Sequence, residues 1–187
     1  MMTTATAPMT QQPTAPTTSP EPLSGRTQTG LIAALLFSGS IFGFFFAWVC
    51  STMWGLDAAD PRVAIEAMQA MNASVRNAVF FPAFFLTPLV IAFAAMQLRR
   101  SGRRRSATRF FSAAGLYLIG GLVLTMSINV PMNEDLAQVV VPATIEDAAV
   151  IWQDYSGRWQ VANIARTVVS GVSLALVGAG LISLDRS

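Results

Sequence analysis

From Thr29 onward the apolar residues come in long runs, neither alternating nor confined to one stripe, with the charges pushed to the gaps between them. Crossing about 30 Å of hydrocarbon takes roughly 20 such residues in a helix. Four runs qualify, over residues 29–54, 77–98, 110–128 and about 161–184. Runs that are apolar all round predict helices whose outer surface meets lipid. The gaps carry further helix signals. Asp60-Pro61 places an N-cap residue before a proline at the first helical position and predicts a helix over 61–73, with Ala64, Met68 and Met71 on one side. Thr144 and Asp147 stand at capping-box spacing and predict a helix that runs into the fourth span. Residues 1–28 are rich in Thr, Pro, Ala and Gln and hold five of the ten prolines, the composition of a disordered tail. The expected fold is all-α: one four-span domain over 29–187, an integral membrane four-helix bundle, left-handed, with one or two short helices on the outer face.

Composition agrees with a bilayer solvent, being 53% hydrophobic and 12% charged. All twelve basic residues are arginine, histidine is absent and cysteine occurs once. That excludes histidine-ligated zinc and haem, disulfide frameworks and histidine triads. The basic balance does not point to nucleic acid, because the net charge is only +2 and six arginines sit between Arg99 and Arg109 with no acid among them. By the positive-inside rule that segment is cytoplasmic. Both termini are then cytoplasmic, loops 55–76 and 129–160 lie outside, and the expected location is the cell membrane. Gly39-x-x-x-Gly43 and Gly171-x-x-x-Ala175-x-x-x-Ala179 are read as close packing within the bundle, with homodimerisation as the alternative.

Chemistry concentrates where the fourth span begins. Trp152, Tyr155, Trp159, Asn163 and Arg166 are spaced 3, 4, 4 and 3. At about 100° per residue they share an arc of roughly 80° on one helix face. Facing lipid, that stripe would put a guanidinium into hydrocarbon at about 2.5–3.5 kcal/mol, so it is expected to face the bundle, although Arg166 is near enough to the outer edge to snorkel. Gly157 marks a place where the helix can break. The third span ends in Asn129-Val130-Pro131-Met132-Asn133-Glu134-Asp135, and Pro131 predicts a turn there, with Asn133 free to cap a following helix. Glu134 or Asp135 is then the expected carboxylate partner of Arg166. Asn72, Arg76 and Asn77 precede a second span that opens with Phe80, Phe81, Pro82, Phe84, Phe85 and Pro88, and prolines in a spanning helix free backbone groups beside cavities. A pocket lined with Phe and capped by Asn, Arg, Trp and Tyr suits a flat phenolic or quinonoid molecule.

Asn129-Val130-Pro131-Met132-Asn133 at the end of the third span, followed by Trp152, Trp159, Asn163 and Arg166 leading into the fourth, resembles the anthrone-oxygenase-like family of small four-span membrane proteins. The resemblance covers about residues 29–184. It implies a membrane oxidoreductase that uses dioxygen on a lipophilic anthrone or polyketide-type substrate, with neither metal nor flavin. In such a reaction side-chain chemistry suits Arg166 to stabilising an anion or peroxide, and Asn163, Asn129 and Asn133 to hydrogen bonding. Trp152, Tyr155 and Trp159 suit stacking on the rings, and Glu134, Asp135 and Asp154 are the candidate bases. The partners expected are the lipid bilayer and a hydrophobic aromatic small molecule, with no nucleic acid. The competing reading is a non-catalytic integral membrane subunit or a small-molecule binding protein, in which the same stripe cements loop packing.

Overall fold

The computed structural model describes residues 22–186; the expected tail lies outside the described residues up to residue 21. Ser24 accepts a hydrogen bond from the Thr27 amide and starts the first helix at Gly25, so the last four residues assigned to the tail form its first turn. Five helices follow: α1 (Gly25–Asp57), α2 (Pro61–Ser74), α3 (Phe80–Arg100), α4 (Arg104–Ala137) and α5 (Ile145–Ile182). All but α2 are long and apolar enough to cross a bilayer, which makes the chain a multi-pass membrane protein. Large apolar side chains such as Ile32, Leu36, Leu89, Ile119 and Val168 lie on the outer surface, where a water-soluble bundle would place polar ones.

Neighbouring helices close a ring in which α1 meets α3 and α5, and α4 meets the same two. Two of the contacts need glycine. A Cβ at Gly180 would stand 2.6 Å from the Phe110 ring, and one at Gly120 would stand 2.7 Å from Val169, so α4 and α5 approach closely at both levels. Gly171 abuts Phe42 of α1, as expected of the small-residue motif in the fourth span. The motif in the first span behaves otherwise, because neither Gly39 nor Gly43 has another element within 4 Å of where its Cβ would be.

Outside the bundle, α2 packs against the long outer extension of α5 through Ala64, Ile65 and Met68. It is capped by Asp60, whose carboxylate accepts from the Arg62 amide and guanidinium; that hydrogen bonding holds the acid below its ordinary range. Thr144 caps α5, and the helix runs 38 residues without a break; Gly157 faces open space and interrupts nothing.

The end of the third span departs from expectation. Val130 is helical, Pro131 sits within the helix and α4 continues to Ala137, with no turn at Asn129. An interior proline clashes with the carbonyl one turn back. Here the turn before it, Thr125–Asn129, is wound as a π-helix, and an earlier π segment covers Tyr117–Val123. The wider register relieves the clash and lets the helix pass through. Pro88 in α3 is accommodated differently. It leaves the Phe84 carbonyl without its helical donor, and the Tyr117 hydroxyl fills the vacancy at 3.0 Å.

Candidate functional site

The stripe on α5 is buried along its whole length: Trp152, Tyr155, Trp159, Asn163 and Arg166 all face inward. Arg166 is 5% exposed and does not snorkel. Its Nε donates to Asn163 Oδ1 at 2.9 Å, and Nη1 donates at 3.4 Å to the Thr125 hydroxyl, which itself donates to the Gly121 carbonyl. The guanidinium lies over the Phe45 ring at 4.5 Å and the Trp159 ring at 5.0 Å. No carboxylate pairs with it among the described residues, which corrects the expectation for Glu134 and Asp135. Glu134 bonds instead to Arg76 at 3.4 Å, because the helical path of α4 carries it up to the end of α2. Asp135, about 100° further round α4, lines a separate surface groove shared with Asp154. Asp154 is exposed and bonded to Arg158 one turn on.

Arg166 forms part of the floor of a cavity of about 280 Å³. Aromatic side chains from α1 and α3 make most of its wall: Phe44, Trp48, Phe80, Phe81, Phe84 and Phe85. Thr125, Met126 and Val130 of α4 and Trp159 of α5 face them, and Met71, Asn72, Val75, Arg76, Asn133 and Glu134 form the rim. Phe44 and Phe80 are 4.7 Å apart between centroids, and Trp48 lies 5.0 Å from Trp159. From Thr125 to Glu134 is nine helical residues, roughly 13 Å, so the space is a slot with a cation at its base and a charged pair at its mouth. Such a volume lies just below the roughly 300 Å³ at which ligand pockets begin.

The carboxamides divide by role. Asn133, which sequence reasoning offered as a helix cap, is inside α4; its Oδ1 accepts from the Tyr155 hydroxyl at 2.8 Å and Trp159 Nε1 at 2.9 Å, and the residue lines the cavity. Asn163 does not reach the cavity. It holds Arg166 through Oδ1 and donates to the Phe45 carbonyl of α1. Asn129 is wholly buried off the wall, and neither amide atom has a partner among the described residues. Tyr155 stands behind Asn133, accepting from Asn72, so it braces the rim from outside the lining.

Trp152 points away from the cavity. Its Nε1 donates to Asp57 at the end of α1, which also accepts from Ser156 and Gln160. Sequence reasoning passed over Asp57, yet three donors spaced four apart at 152, 156 and 160 were a signal that an acceptor faces that side of the helix. This clamp fixes the C-terminal end of α1 against α5, and with it Trp48 on Trp159 and Phe45 beneath Arg166. Thr125 and Phe45 were likewise missed; both sit in apolar runs that carry no local mark of chemistry.

The apolar slot can shelter a flat ring system, and the guanidinium, with donors left over, can neutralise an oxygen anion at its base. Comparison with known proteins adds one finding. A family model described as anthrone oxygenase matches residues 71–176, from the last turn of α2 into α5. No curated protein and no solved structure matches the chain.

Proposed function

The chain belongs to the anthrone oxygenase family, and from that premise we propose that it oxidises a lipophilic hydroxyanthrone to the anthraquinone with dioxygen. The observation that carries this reading is Arg166: a buried guanidinium without a carboxylate, held by Asn163 and Thr125 at the base of an aromatic slot. A buried cation left unpaired costs several kcal/mol, and a ligand bearing a negative oxygen offsets that cost.

With the substrate carbonyl at Arg166, the methylene on the opposite edge of its central ring faces the rim. Glu134 is the carboxylate on that part of the wall and takes the methylene proton. The electron pair of the broken C–H bond moves to the carbonyl oxygen, whose charge Arg166 stabilises. The resulting anion gives one electron to dioxygen, and the two radicals combine at the former methylene carbon as a peroxide. Protonation and loss of water leave a carbonyl there. One oxygen atom of O2 enters the quinone and the other leaves in water, so the reaction balances with no other oxidant. Asn163 positions the guanidinium, Asn133 holds Trp159 and Tyr155 in place, and Trp159 packs on the rings; the apolar wall excludes water from the anion.

The test is oxygen uptake and anthraquinone formation from 1,8-dihydroxyanthrone by the protein purified into lipid nanodiscs. Turnover above the protein-free rate supports the reading. Binding without turnover would reduce the site to a binding protein, and neither binding nor turnover would return the stripe to a packing role. We assign the arginine-rich connection between α3 and α4, and both termini, to the cytoplasm of a cell-membrane protein, with the slot in the outer leaflet. Single cysteines placed between residues 99 and 109 in a Cys50→Ala background should resist impermeant thiol reagents in intact cells; labelling there would reverse the orientation.

A further inference from the structure

The walls of the slot differ in where they lead. On the side of α4 it meets three side chains that also lie on the outer surface of the bundle: Phe81, Phe85 and Met126, exposed by 42%, 39% and 43%. The helices bearing them pack closely along Arg104–Leu116, still touch along Tyr117–Val123, where Tyr117 bonds the Phe84 carbonyl, and part beyond Val123, while Gly120 brings this half of α4 against Val169 of α5. Toward water the mouth is crossed by the Arg76–Glu134 pair, with Asn72 and Asn133 tied to Tyr155 beneath. Polar groups thus span the aqueous side, and two phenylalanines and a methionine form the lateral one.

We infer that the slot fills sideways from the hydrocarbon, between α3 and the outer half of α4, and this rests on the reading that it holds a flat aromatic ligand. The chemistry of the lips then restricts the substrate. A molecule passing Phe81, Phe85 and Met126 has no hydrogen-bonding partner on the way, so it travels neutral and membrane-dissolved. It acquires charge only after its oxygen reaches Arg166. Water-soluble conjugates of the same ring system, carrying a sugar or a permanent charge, are excluded as substrates.

Two measurements in nanodiscs test the route. The first follows quenching of tryptophan fluorescence by 1,8-dihydroxyanthraquinone in stopped flow. Phe85→Ala, which widens the lateral gap, should raise the association rate by about tenfold, a barrier lowered by about 1.4 kcal/mol, and the dissociation rate by at least as much, since the ring is also lost from the wall. Arg76→Ala, which opens the aqueous mouth, should speed association far less than Phe85→Ala does. Acceleration by Arg76→Ala and none by Phe85→Ala would overturn the inference. The second needs no ligand. A protein keeping only Trp159, with Trp48, Trp54 and Trp152 replaced by Phe, should be quenched by acyl chains brominated at carbons 9 and 10 and not by aqueous iodide, and Phe85→Ala should deepen the bromine quenching. Quenching by iodide alone would overturn the inference. If the bromine pattern holds while the anthraquinone does not bind, the lateral opening stands and the proposed reaction falls.

Discussion

Replacing Arg166 with methionine removes the charge and keeps most of the volume, which separates a chemical role from a packing one. Exchanging a buried charge for an apolar side chain of similar size is often neutral or stabilising, by about 1–4 kcal/mol. Against that, Asn163 Oδ1 loses its donor and is left buried, a loss of about 1–3 kcal/mol. Thr125 is little affected, because its hydroxyl still donates to the Gly121 carbonyl. The two contributions nearly cancel, so the unfolding free energy in mixed micelles should change by less than about 2 kcal/mol. Turnover should fall far more. Removing one preorganised donor from a developing oxyanion costs about 10²–10³ in rate, and Arg166 supplies both a donor and the charge. The assay is oxygen uptake with 1,8-dihydroxyanthrone at saturating substrate, run beside the melt on the same preparation. A variant that unfolds by more than about 4 kcal/mol while the parent shows no turnover would refute the reasoning, since that loss marks a buried polar network and no catalyst.

Three further outcomes follow from the packing. Tyr117→Phe should cost about 1–3 kcal/mol by leaving the Phe84 carbonyl without a donor; on a Pro88→Ala background, where the new amide can bond that carbonyl, most of the loss should vanish, and additive effects in the double-mutant cycle would contradict the pairing. Asn129→Leu should raise the unfolding free energy by about 1 kcal/mol or more, because it removes two buried amide atoms without partners, and a fall in stability would show that the carboxamide is satisfied in the membrane-embedded protein. Asp60 titrates below its ordinary value of 3.8 because Arg62 hydrogen-bonds its carboxylate. The stabilisation it lends α2 is present above that value and is lost as pH falls through the lower folded one, so the difference in melting between wild type and Asp60→Ala should disappear in acid; a constant difference would contradict the assignment.

The four spans, the capped helix at Asp60 and the inward stripe on α5 were legible because each rests on a local period or a cap residue within one segment. What failed were inferences that required knowing where a neighbouring helix lies. Pro131 reads locally as a stop, and only the π register before it shows how α4 continues; that continuation carries Glu134 past Arg166 to Arg76. The expected pocket of Phe, Asn, Arg and Trp exists, but Tyr155 stands behind its wall, Trp152 serves Asp57 instead, and Asn129 and Asn163 are buried off it. On a helix face spanning several turns, one stripe can meet several partners in succession, and periodicity alone does not say which residue meets which.

The central claim is that the slot over Arg166 carries out oxygenation of an anthrone. Its most direct measurement is the mass of the anthraquinone formed under ¹⁸O2 by the nanodisc-embedded protein, with the rate corrected for the protein-free reaction. The account predicts one ¹⁸O atom in each new quinone carbonyl, formed at a rate that Arg166→Met reduces to the protein-free level. Quinone formed equally fast with the parent, the variant and empty nanodiscs would contradict it.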